Sequence, residues 1–139
     1  MGSEHTAKAF DDDLQELNRL VAEMGGLAER QIVDSVDALI RRDVTLGKRV
    51  VAADLEIDKL QHLIEERAVL TIARRQPMAV DLREIVSSMR VATDLERIGD
   101  LSKNIGKRVS ALDSDFHPLK LIRGLEHMTD LVQTQIKSV

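Results

Sequence analysis

Hydrophobic positions along the chain step by three or four residues, the spacing of one helix face. Leu17, Val21, Met24, Ala28, Ile32, Ser35 and Leu39 form the first stripe. It predicts a helix beginning after Asp11-Asp12-Asp13, where negative charge suits a helix N-terminus. Gly25-Gly26 lies inside this stripe and marks a close approach of two helices rather than a turn. Leu46, Val50, Ala53, Ile57, Leu60 and Ile64 form the second stripe, with Asp43 as its cap. That helix ends near Arg75, because Pro77 disfavours helix at Gln76. Asp81, with Glu84 three residues on, resembles a capping box and opens a third helix that runs to about Ala111. Residues 112–118 read as a loop. Pro118 fits the first turn of a fourth helix carrying Leu121, Leu125, Met128, Leu131, Val132 and Ile136.

Helices of roughly 30 residues span about 45 Å, and short connections make neighbours antiparallel. The expected fold class is all-α: an elongated up-down three-helix bundle with an additional, truncated fourth helix.

An internal repeat accompanies this pattern. Shifted by 104 residues, Leu17 falls on Leu121, Arg19 on Arg123, Met24 on Met128, Leu27 on Leu131, Gln31 on Gln135 and Ile32 on Ile136. Two amphipathic helices in one register share apolar positions by chance, but the Arg and Gln matches are harder to obtain that way. The offset divides the chain into a flexible N-terminus (1–10), a complete three-helix unit (11–112), a linker (113–118) and the first helix of a truncated second unit (119–139).

Composition narrows the function classes. The 139 residues include two Phe, no Tyr, no Trp and no Cys. That disfavours a β-sandwich and excludes aromatic stacking platforms for single-stranded nucleic acid. It also excludes disulfides, a thiol nucleophile and Cys-ligated metal sites. The net charge of −4 gives no basic excess for nucleic acid or an anionic membrane. No apolar run reaches the length of a membrane span, so a soluble, cytoplasmic protein is expected.

The candidate chemistry lies on the third helix. On a helical wheel Leu82, Val86 and Met89 share a face that continues as Thr93, Glu96, Asp100 and Asn104. The stripe therefore reads as core that turns into carboxylates, which is costly unless they are paired or bound. Glu96 and Asp100 are four apart and reach one point. Asp54, Asp58, Gln61 and Glu65 share a face of the second helix, with Glu66 to one side. Oxygen-only donors suit hard cations such as Mg²⁺ or Mn²⁺, or iron. The competing reading is salt bridging, with Arg97 and Lys103 close by. None of the four His follows a Glu by three residues, so a ferritin-like di-iron site is disfavoured. His62 lies opposite the core stripe, where an exposed phosphotransfer His would sit, as would any ordinary surface His. No nucleophile elbow, P-loop or dinucleotide fingerprint occurs.

Ala73-Arg-Arg-Gln-Pro-Met-Ala-Val-Asp-Leu-Arg83, followed by Asp94-Leu-Glu-Arg-Ile-Gly-Asp100 and Asn104, closely resembles the PhoU family of bacterial regulators of phosphate uptake and signalling. The resemblance extends back through Asp54 to Met24 and covers nearly the whole chain. It implies tandem three-helix repeats, each with an acidic motif associated with metal clusters in some members. Here that motif falls on Glu96 and Asp100, while Asp94, Asn104, Asp54, Asp58 and Glu66 match other polar positions. The resemblance implies no catalysis. It implies a negative regulator of phosphate-starvation signalling, binding a divalent or trivalent ion (Mg, Mn or Fe). Its partners would be the ATPase subunit of the phosphate ABC transporter and the phosphate-sensing histidine kinase, at the inner membrane through those partners. The fourth helix is expected to pack on its own unit or to swap into a second copy as a homodimer. The alternative is a structural interaction module whose carboxylates pair with Arg and Lys and bind no metal.

Overall fold

The computed structural model describes residues 2–111 and 119–138. Four helices follow one another: α1 (Gly2–Arg41), α2 (Val44–Arg75), α3 (Ala79–Ala111) and α4 (Leu119–Ser138). The first three pack mutually as an up-down bundle, and α4 lies against α1. The expected loop at 112–118, with Pro118 in it, lies outside the described residues.

The helix ends follow from local chemistry. Asp43 N donates to Ala38 O at 2.9 Å and Arg42 N to Leu39 O at 3.4 Å. This is a Schellman closure with Arg42 in the left-handed position (φ 55°), where Gly is more usual. Asp43 then caps α2, its side chain accepting from Leu46 N at 3.0 Å. Gln76 closes α2, also left-handed (φ 46°), and Pro77 prevents continuation.

Two expected starts are displaced. α1 runs through Asp11–Asp13 back to Gly2, so these carboxylates lie inside the helix. Asp13 instead receives Arg75 Nε of α2 at 3.0 Å, tying the two helices together. α3 begins at Ala79, with Leu82 N bonded to Met78 O at 2.9 Å. Asp81 thus sits in the first turn, favourably placed against the helix dipole but not as the cap.

The core is aliphatic. Leu17, Met24, Ala28 and Ile32 of α1, Ile57, Ile64 and Ala68 of α2, and Ile85 and Ala92 of α3 are buried. The α1 stripe is as expected. On α3 the buried line is Ile85, Ser88, Ala92, Leu95, Gly99, Ser102, Gly106 and Val109, rotated from the expected Leu82–Val86–Met89 face. Leu82 is exposed, because small residues let α2 and α3 close on the other line. The carboxylates therefore flank the core stripe rather than replace it. Buried hydroxyls on this line are satisfied within α3: Ser88 donates to Glu84 O and Ser102 to Ile98 O.

The close helix approach is not at Gly25-Gly26. A Cβ on Gly26 would meet nothing within 4 Å, and one on Gly25 would make ordinary contact with Ile136 at 3.5 Å. The tight point is Gly47 against Gly106, where a Cβ on Gly106 would stand 2.7 Å from Gly47 O.

The fourth helix meets the first at a defined point. Gln133 Nε2 donates to Glu29 Oε1 at 3.4 Å, and these residues are 104 apart in sequence. Gly25 faces Ile136, the equivalent of Ile32. Helices α1 and α4 are thus antiparallel, with equivalent positions meeting at one point.

Candidate cation site on the α2–α3 seam

The Gly47–Gly106 contact sets the register of α2 on α3. Two turns further along α2, and two turns back along α3, Asp54 faces Gly99. A Cβ on Gly99 would lie 3.0 Å from Asp54 Oδ1 and 3.3 Å from two atoms of Ile57. Glycine here makes the space into which the Asp54 carboxylate folds.

Asp54 is only 2% exposed. Its Oδ2 lies 3.6 Å from Lys103 Nζ, longer than the roughly 2.7–2.9 Å of a charge-assisted hydrogen bond. Its Oδ1 is buried with no hydrogen-bond partner. Burial raises the Asp54 carboxyl above its ordinary range, Asp58 and Asp100 add to this, and Lys103 opposes it. Burial also raises Glu96, followed by the charge and hydrogen bonding of Asp100, then Asp58 and Asp54. Four carboxyl groups thus crowd one seam: Asp58 and Asp100 make Asp54 and Glu96 harder to ionise, and Lys103 opposes this at Asp54.

The seam brings together Asp54, Asp58, Glu96 and Asp100. Asn104 is exposed one turn beyond Asp100 on the same side of α3. Gln61 and Glu65 are half-buried further along α2. Glu66 is exposed and eight residues beyond Asp58, about 12 Å along the helix. Asp94 is on the other side of α3. There it lines a groove of about 750 Å³ with Asn18, Val21, Gly25 and Ile136, and pairs with Arg97 at 3.7 Å. Arg97 is therefore not a counter-ion of Glu96 or Asp100. His62 is exposed.

The donor chemistry fits a hard cation on one observation, the orphaned and buried Oδ1 of Asp54. The side chains do not converge as they stand: among the described residues, no three of His, Asp or Glu form a group able to hold a metal ion. Sequence reasoning identified the four carboxylates but not Gly99 or the glycine pair that registers them. The signal was present as a line of small residues on α3, Ser88, Ala92, Gly99, Ser102 and Gly106, spaced by four, seven, three and four.

The helical fold has a counterpart among solved structures. The crystal structure of PhoU from Pseudomonas aeruginosa superposes with a TM-score of 0.81 at 33% identity, covering 92% of this chain and 61% of that one. The PhoU domain pattern matches residues 21–109. A phosphate-specific transport system accessory protein PhoU homolog of Rhizobium meliloti (strain 1021) is 50% identical over 139 residues. Its counterpart in Caulobacter vibrioides (strain NA1000 / CB15N) is 45% identical over 137. These alignments take in 100% and 99% of this chain. The chain belongs to the PhoU family. It spans 59–60% of the length of these two relatives. Among the described residues, no helix is long and apolar enough to cross a membrane.

Proposed function

We propose that the protein is a non-enzymatic, cytoplasmic regulator of phosphate uptake that takes up a metal cation through the α2–α3 seam. The observation that carries the cation reading is Asp54, almost fully buried, with one oxygen unpartnered and three further carboxyl groups alongside. A buried carboxylate without full compensation is costly, and a bound cation supplies the compensation. Asp54, Asp58, Glu96 and Asp100 would hold the ion, with Asn104 as an outer oxygen; Mg²⁺, Mn²⁺ and iron suit such donors. Asp94 and Glu66 lie away from this group.

The regulatory role rests on the family and on the names of its relatives, which are accessory proteins of phosphate-specific transport. In this reading residues 11–112 form one repeat and 119–139 open a second. The whole is an adaptor between the transporter's ATPase subunit and the phosphate-sensing kinase, restraining the starvation response, and it pairs as a homodimer. The second reading, a structural module with internally paired carboxylates, is favoured by the Lys103–Asp54 contact.

Metal analysis and thermal melts in Mn²⁺, Mg²⁺ and Fe²⁺ decide between them. The cation reading expects bound metal and a raised Tm in wild type, both lost in Glu96→Ala and Asp100→Ala. No bound metal and no shift would leave the structural module. Capture of the transporter ATPase by wild type, and not by those variants, tests the adaptor role.

A further inference from the structure

We propose that Lys103 is a built-in competitor for the cation: its ammonium occupies the seat at Asp54, and an incoming divalent ion binds only by displacing it into solvent. This rests on the reading that the seam takes a cation, and it adds what controls the uptake.

Four observations converge. Lys103 Nζ is the positive group recorded beside Asp54, and at 3.6 Å it is loosely held. The lysine side chain is 34% exposed, so its long stem already reaches solvent, whereas the Asp54 side chain is 3% exposed and stays where it is. The ammonium leaves Asp54 Oδ1 without a partner, so it satisfies only half of the buried carboxylate. Finally, Arg97 pairs with Asp94 at 3.7 Å, away from the seam.

A buried carboxylate stripped of its counter-charge is strongly unfavourable. Exchange of one cation for another keeps Asp54 compensated throughout. Lys103 thereby sets a threshold. Low cation leaves the lysine seated, and high cation ejects it, placing a positive charge on the exposed side of α3. A compact, hydrated point charge on a flexible stem suits this role better than a guanidinium would.

The test uses the full chain and MnCl₂. Calorimetric titration compares wild type with Lys103→Met and Lys103→Gln. In parallel, wild-type lysines are acetylated with and without saturating MnCl₂ and read by mass spectrometry. Both variants should bind Mn²⁺ about tenfold more tightly, the worth of one part-buried charge pair. Labelling of wild-type Lys103 should rise several-fold with Mn²⁺ while other lysines stay constant. Binding that is equal or weaker in the variants, or unchanged Lys103 labelling with Mn²⁺ bound, overturns the competitor role and leaves the cation site standing. No Mn²⁺ binding by any of the three proteins overturns both. If the variants fail to fold, the wild-type labelling decides alone.

Discussion

Replacing Gly106 with Ala adds one methyl group where there is no room for it. Its Cβ would stand 2.7 Å from Gly47 O and 3.2 Å from Val51 Cγ2. The first obstacle is backbone, which cannot rotate away. Restoring a carbon–oxygen contact of about 3.3 Å requires α2 and α3 to part by about 0.6 Å at this point. Over-packing of this kind costs about 1–3 kcal/mol, and the rigid obstacle places it in the upper half of that range. Against it stands the helix preference of Ala over Gly, about 1 kcal/mol. The net expectation is a loss of about 1–2 kcal/mol. Gly26→Ala is the matched control. Gly26 is exposed in mid-helix with nothing within 4 Å of an added Cβ, so only the propensity gain of about 1 kcal/mol remains. The two variants should therefore differ by about 2–3 kcal/mol, or roughly 6–9 °C in Tm for a chain of this size. Urea unfolding followed by far-UV circular dichroism measures the difference. A Gly106→Ala protein as stable as wild type would show that the two backbones do not meet as described.

Three further expectations follow from the same structure. Asp43→Ala removes the cap of α2 and should cost about 1 kcal/mol in a denaturant melt; an unchanged midpoint would discount the Leu46 N bond. Gly99→Ala puts a Cβ 3.0 Å from Asp54 Oδ1, so it should weaken Mn²⁺ binding more than it lowers Tm; unaltered affinity would separate Gly99 from the seam. The pH dependence has a definite sign. Asp54 and Glu96 hold protons more tightly when folded than when unfolded. The folded state therefore binds more protons just above the ordinary carboxyl range, and these two groups lose stability as pH rises through that window. Without cation, wild type should gain on Asp54→Asn/Glu96→Gln as pH falls from 7 toward about 5. A difference that stays flat across that range would refute the crowding of these carboxyls.

Much of the bundle was legible because its helices obey local rules. The α1 stripe, the Asp43 cap and the stop at Gln76-Pro77 each depend on residues within one or two turns. The starts of α1 and α3 were not legible for the same reason: Asp13 and Asp81 carry helix-start chemistry, but Asp13 is taken by Arg75, 62 residues away, and Asp81 sits just inside its helix. The wheel of α3 failed by a fraction of a turn. It weighted Leu82, Val86 and Met89 by hydrophobicity, whereas packing followed the small residues that let α2 approach. Glu96, Asp100, Asp54 and Asp58 were legible as a polar group, but which of them would be buried was not. That depended on Gly99, whose value lies in the side chain it lacks.

The Glu29–Gln133 contact carries a consequence for pairing between like chains. Equivalent positions meet there across antiparallel helices. Two α1 helices brought together in the same way would set Glu29 against Glu29, carboxylate against carboxylate. With Gln at the second position, the opposing group is a neutral donor and the repulsion becomes a hydrogen bond. At this point the amide in place of the acid favours α4 over another α1 as the neighbour of α1. The two helices of common pattern are thereby told apart at the point where their likeness would otherwise be most complete.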